Sequence, residues 1–218
     1  MSQGVRPAQQ SRSRQTRAKL VAALEELLRQ RSFEDISIAD LAAEAGLSVG
    51  TVYRRFDNRD ALIPVIFELY AERVAHYAAA PSARLTLEEG AGLRTALRQM
   101  VSLAWRFLTA EAHLVRAAHL YARLRPDLVG EEWEAFLEAS VAQSEALIEH
   151  FSAEVSVPNR RHAAEILTYL FNTSLIERAL YPQDGPAFAL TMSDAVFTAA
   201  MADAIYGYLT APDVPVRP

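Results

Sequence analysis

The 218-residue sequence has no cysteine, which excludes a disulfide framework, thiol catalysis and a thiolate metal site. No apolar run reaches the roughly 18–20 residues that a membrane span needs. No charged, then apolar, then small-residue leader opens the chain. A soluble, cytoplasmic protein with no membrane partner is therefore expected. Glycine and proline are sparse, at 8 and 10 residues, and no strand-like alternation or internal repeat is visible. Chemistry-bearing motifs are missing too. There is no glycine-rich phosphate loop and no GxSxG elbow. The histidines are His76, His113, His119, His150 and His162. His113 and His119 stand six apart, on different faces of a helix, and no pair has the spacing of a helical zinc site. Neither a catalytic residue, a metal nor a cofactor is expected, so the chain does not read as an enzyme.

What is present is half hydrophobic, at 51%, enough for a substantial core. The net charge of −5 argues at first against a nucleic-acid partner. Its distribution argues the other way. Residues 1–60 hold ten basic against eight acidic residues, and the remainder twelve against nineteen. Met1–Lys19 carries Arg6, Arg12, Arg14, Arg17 and Lys19 with no acid. An acidic body behind a locally basic end limits non-specific adhesion to nucleic acid.

The chain is organised around Ser37–Phe56, SIADLAAEAGLSVGTVYRRF. Ser37 and Asp40 form a capping box that opens a helix, and Ile38, Leu41, Ala42 and Ala45 give it one buried face. Gly46 ends it, because a left-handed residue costs least as glycine. Ser48 caps a short second helix, Val49–Arg55, with Val52 and Phe56 inward. Val49, Gly50, Thr51, Tyr53, Arg54 and Arg55 are left facing out. Such a small, hydroxylated, aromatic and basic surface suits a helix entering a major groove. Thr51 offers a hydroxyl and a methyl, Tyr53 a hydroxyl for a phosphate, and the arginines bidentate pairing with guanine or a phosphate clamp. Gly50 costs helix stability of about 1 kcal/mol against alanine, and close approach to the sugar-phosphate chain would repay it. A surface helix pair of some other all-α protein shows the same pattern.

The flanks narrow the choice. From Ile38 through GLSVGTVYRRF to NRDAL, the sequence resembles the TetR/AcrR family of one-component regulators, over about residues 14–65. The resemblance implies DNA contacts from Ser37, Ser48 and the outward set of the second helix. It also implies a phosphate contact at the start of helix four, where the family usually has lysine and this chain has Arg59, a more rigid bidentate donor. Asn58 caps that helix. Arg17, near the start of the first helix, is a further expected phosphate contact.

About nine helices are expected, an all-α fold. Residues 1–12 read as a disordered basic arm, able to lay Arg6 or Arg12 along phosphates or into a minor groove. Residues 13–57 form the helix-turn-helix domain, 58–80 a connecting helix four with Pro64 near its start, and 81–218 a helical ligand-binding and dimerisation domain. Helix five is expected from the capping box Thr86–Glu89 to about Thr109. The next four run from Glu111 to about Leu124, Leu128 to Phe151, Pro158–Asn159 to Tyr181, and Thr191 to Leu209. Trp105, His113, Arg116, His119, Tyr121, Trp133 and Phe136 combine aromatic surface with a few polar heads, as a small-molecule pocket needs, although a helical core has the same composition. With few uncompensated cations among them, the expected effector is largely hydrophobic. Leu167, Leu170, Phe171, Ser174, Leu175 and Arg178 of helix eight, with Val196, Ala199, Ala200, Asp203 and Tyr206 of helix nine, are the expected homodimer interface, a four-helix bundle. By analogy with the family, a ligand would release a repressor from a palindromic operator of double-stranded DNA. An activator, or an architectural or protein-interaction DNA-binding factor without a ligand, are the alternatives.

Overall fold

The computed structural model describes residues 6–129, 131–180 and 191–211. Among these residues there are nine α-helices, short 3-10 turns and no strand. The chain separates into two compact units, residues 1–72 with 113–130, and residues 73–112 with 131–218.

The first unit is built on α1 (Arg6–Gln30), α2 (Ile38–Glu44) and α3 (Val49–Tyr53). Leu20, Leu24, Leu27 and Leu28 of α1 are buried with Phe33, Ile36, Leu41, Val52 and Phe56, the stripe that helical spacing predicts. Helix α1 begins seven residues before the expected Ser13, so 6–12 is helix rather than a disordered arm. Pro7 fits a first helical turn, where its missing N–H is not needed, and Ala8, Gln9, Gln10 and Arg12 are good helix formers. Residues 1–5 of the expected arm lie outside the described residues.

Helix α2 carries both halves of its capping box: Ser37 Oγ accepts from Asp40 N at 3.1 Å and Asp40 Oδ2 accepts from Ser37 N at 2.9 Å. Its far end is a Schellman turn. Gly46 sits at φ +63, its N–H donates to Ala43 O, and Leu47 N–H donates to Ala42 O. Asn58 Oδ1 accepts from Ala61 N at 3.1 Å and caps the turn 60–62 that leads into α4 (Ile63–Ala79). Pro64 is the second residue of α4. In that first turn it deprives no carbonyl of a partner, and the helix runs on behind it.

Residues 113–130 belong to the first unit, which a boundary near residue 80 did not anticipate. They carry most of α6 (Ala112–Leu124). Tyr121 stands edge-on to Phe33, centroids 5.1 Å apart, and its hydroxyl donates to Glu34 Oε1 at 3.0 Å. Burial, and then that carboxylate, push the Tyr121 phenol up to about 12. Arg125 pairs with Asp60 and with Asp127.

The second unit contains α5 (Leu93–Ala110), α7 (Glu131–His150), α8 (Arg160–Leu180) and α9 (Asp194–Thr210). Leu93, Ala96, Leu97 and Val101 of α5, Leu167 and Leu175 of α8, and Ala202, Ile205 and Leu209 of α9 are fully buried. Ser144 and Thr168 form a buried hydroxyl pair at 2.8 Å between α7 and α8. Helix α5 starts seven residues after the expected Thr86. Gly90 lies at φ +82, a left-handed conformation that interrupts a helix. The backbone of Thr86 bonds Gln99 instead, in both directions. Helix α9 is capped by Ser193, whose Oγ accepts from Val196 N at 3.4 Å.

Candidate nucleic-acid interface

The candidate reading surface is α3 with the turn after it. Val52 is fully buried and holds the helix on the core, while Val49 is 42% and Tyr53 52% exposed. Gly50 has open space where a Cβ would stand.

The hydroxyl and basic residues around this face are not equivalent. Ser48 caps α3 and lies 2.9 Å from Thr51 Oγ1. Thr51 Oγ1 also accepts from Arg54 Nη2 at 2.9 Å. That chain of bonds holds the Arg54 guanidinium on the exposed face. Arg55 turns the other way: its Nη2 donates to Ser13 O at 2.6 Å and Ser13 Oγ at 2.8 Å. It ties α1 to the recognition turn. Arg59 Nη1 donates to Glu34 O at 2.8 Å, with the guanidinium 5.5 Å from the centre of the Phe33 ring. Arg17 pairs with Glu68 on α4, both half exposed; a surface pair of this kind contributes about 0–1 kcal/mol and yields readily to a phosphate. Ser37 is occupied by its capping box, its Oγ 2.6 Å from Asp40 Oδ2, and that box holds the Asp40 carboxyl below the usual carboxylate range.

Arg54→Ala is therefore expected to alter base preference, whereas Arg55→Ala should weaken all DNA sequences alike, within roughly threefold of each other, by loosening α1. Binding-site selection on both variants checks the division. A changed consensus for Arg55→Ala with an unchanged one for Arg54→Ala would reverse it.

The seven expected ligand residues divide between the units. His113, Arg116, His119 and Tyr121 lie in the first, and Trp105, Trp133 and Phe136 in the second. Tyr121 is engaged with Phe33 and Glu34, and His113 faces Glu25 at 3.6 Å. Burial, followed by the neighbouring Arg123, lowers the His119 pKa. Trp105 packs edge-on against Phe197 with centroids 6.0 Å apart, and Trp133 stacks on Phe136 at 5.2 Å.

Of the expected dimer residues, Leu167 and Leu175 are interior to the second unit. Arg178 donates to Met192 O and Asp194, and its guanidinium lies over the Phe197 ring. Asp203 receives both Arg94 and Arg98 in bidentate pairs of 2.8–3.1 Å. These four serve the subunit itself. Val196 is 56% exposed and Ala200 is exposed beside it. Ile166 and Tyr169 of α8 and Tyr208 of α9 are exposed apolar side chains as well, and periodicity had not singled them out.

Residues 20–66 match the family of bacterial regulatory proteins called tetR. The HTH-type transcriptional regulator CymR of Pseudomonas putida is 26% identical over 188 residues, 84% of this chain and 88% of that protein. A TetR-family regulator of Vibrio parahaemolyticus superposes with a TM-score of 0.56 at 25% identity, covering 87% of this chain and 96% of its own. A transcriptional regulator of Rhodococcus sp. Rha1 does so with a TM-score of 0.60 at 21% identity, over 91% and 98% of the two chains.

Proposed function

We propose that this chain, whose residues 20–66 match the family of bacterial regulatory proteins called tetR, is a DNA-binding transcriptional regulator of that family, a cytoplasmic homodimeric repressor released from a palindromic operator by a small-molecule effector. The observation that carries the DNA-binding half is α3: a buried Val52 anchors it while Val49, Gly50, Tyr53 and Arg54 stand outward. A surface of this composition reads base edges with its side chains and follows phosphates with its hydroxyls. The dimer rests on exposed apolar side chains of α8 and α9, and twofold symmetry of the protein calls for twofold symmetry of the site.

The effector is assigned to the second unit, with Trp105, Trp133 and Phe136 as its aromatic contacts and a largely hydrophobic chemistry. No described helix is long and apolar enough to cross a membrane, which fits a regulator that meets both DNA and ligand in the cytoplasm. Footprinting on DNA selected by the protein tests the reading. The expected result is two protected half-sites related by a dyad, their centres about one helical turn (10–10.5 bp) or a multiple apart. Repression of a reporter should be relieved by apolar compounds that raise the melting temperature. An asymmetric footprint, or reporter output that rises when the protein is supplied, would overturn the repressor assignment.

A further inference from the structure

Helix α5 has a second face. Thr95, Arg98, Gln99, Ser102 and Arg106 recur at three- and four-residue intervals, opposite the buried Leu93, Leu97 and Val101. A polar stripe on an amphipathic helix is ordinarily no more than its solvated side. Here the segment before the helix folds back over it. Gln99 Nε2 donates to Thr86 O at 2.9 Å and Gln99 Oε1 accepts from Thr86 N at 3.2 Å, so one side chain replaces two backbone partners and fastens the strap. Arg106 Nη2 reaches Ser82 O at 3.4 Å. Tyr77 donates to Leu103 O at 2.8 Å. Between strap and helix lies a solvent-open cleft of about 550 Å³, within the range of small-molecule sites.

Its lining holds three arginines, Arg84, Arg98 and Arg106, with hydroxyl and amide groups and a single leucine, and no acid. The charges are not equally available. Arg98 is committed to Asp203 through Nε and Nη2, and the two arginines on Asp203 hold that carboxyl far below its ordinary range. Arg98 thus brings its field and no spare fork. Among the described residues Arg84 forms no ion pair and Arg106 has only the long bond to Ser82 O, both standing in a body whose net charge is negative. Two guanidinium groups with no carboxylate partner among the described residues, in a concave site already furnished with hydroxyls, match the planar oxygens of a carboxylate or phosphate.

We propose that this cleft is a binding site for a compact oxyanion, held by Arg84 and Arg106 and oriented by Ser102 and Gln99. The site differs in residues and in chemistry from the apolar effector contacts at Trp105, Trp133 and Phe136, and it requires no DNA. Carboxylate and phosphate share the recognition chemistry, and the nature of the probe separates them.

The test is calorimetric titration of the full chain, at fixed ionic strength, with inorganic phosphate, glucose 6-phosphate, citrate and benzoate. At least one should bind saturably, one per chain, with a Kd below about 1 mM. The double substitution Arg84→Gln with Arg106→Gln should weaken it at least tenfold. Arg160→Gln, which removes a surface arginine of α8 paired with Glu149 of α7, should leave it within twofold. Absence of saturable binding by all four probes overturns the proposal, as does equal weakening by Arg160→Gln. A double variant that loses DNA affinity at matched salt while keeping its anion affinity also overturns it, and makes the cleft a phosphate contact for DNA. Loss of DNA binding in the selection experiment would disprove the regulator reading and leave the calorimetry untouched.

Discussion

Gly50→Ala should leave the free protein at least as stable as before and weaken operator binding tenfold or more. In the DNA-free protein an added Cβ at Gly50 meets nothing within 4 Å. The backbone of α3 around it is ordinary helix, where alanine is better than glycine by up to about 1 kcal/mol. Nothing inside the protein therefore calls for glycine. What remains is the partner: α3 enters a groove with its first residues leading, and a methyl group at that point holds the helix off the sugar-phosphate chain. A tenfold loss corresponds to about 1.4 kcal/mol, a modest demand on a misplaced interface. Gly46→Ala is the matched control. Gly46 sits at φ +63, where an L side chain costs roughly 1–2 kcal/mol, so that variant should lose stability first and DNA affinity as a consequence. Denaturation and fluorescence anisotropy on the pair separate the two glycines. Unchanged operator affinity in Gly50→Ala would remove close backbone approach from the account of this interface.

The two glycines also show why the reading head was legible in the sequence. Each of its boundaries is set by a local rule that a few residues announce: the capping box at Ser37, the left-handed Gly46, the cap at Ser48. Buried positions such as Leu41 and Val52 follow from the helical repeat alone. Where the sequence was less legible, the cause is dependence on partners distant in sequence. Arg55 looked like its neighbour Arg54 until Ser13 took its guanidinium. Thr86–Glu89 has the form of a capping box, yet Gly90 turns the chain left-handed and Gln99 claims the backbone of Thr86. Tyr121 had the composition of a pocket residue, and its edge contact with Phe33 packs it within the first unit. The polar stripe of α5 was present in the sequence at clear helical spacing, but a stripe becomes a cleft only when a strap covers it. Helices α8 and α9 posed a different difficulty. Both are apolar on more than one face, and periodicity does not say which face is core and which awaits a partner.

Ala204→Arg should convert the protein to a monomer and abolish operator binding while the subunit keeps its helical fold. On α9 the buried row is Phe197, Ile205 and Leu209, and the adjacent row Val196, Ala200, Ala204 and Tyr208 is exposed. Ile166 and Tyr169 add exposed apolar area on α8, Tyr169 at 65%. Small residues at four-residue spacing, flanked by larger apolar ones, let a second helix approach closely. Because Ala204 faces water in the subunit, a guanidinium there costs the isolated fold little. Across a twofold axis each chain would bring one such charge, so two unpaired cations would be desolvated together. The dimer Kd should rise at least a hundredfold, about 2.7 kcal/mol. Operator affinity should fall with it, since each half-site would then bind alone. Leu167→Arg is the informative contrast, because Leu167 is 1% exposed and a charge there should unfold the subunit. Sedimentation and circular dichroism read the difference directly: Ala204→Arg sediments as a folded monomer, and Leu167→Arg loses helicity. If Ala204→Arg remains a dimer at micromolar concentration with its operator affinity intact, the α8–α9 surface is not the interface. The two reading heads must then be joined elsewhere.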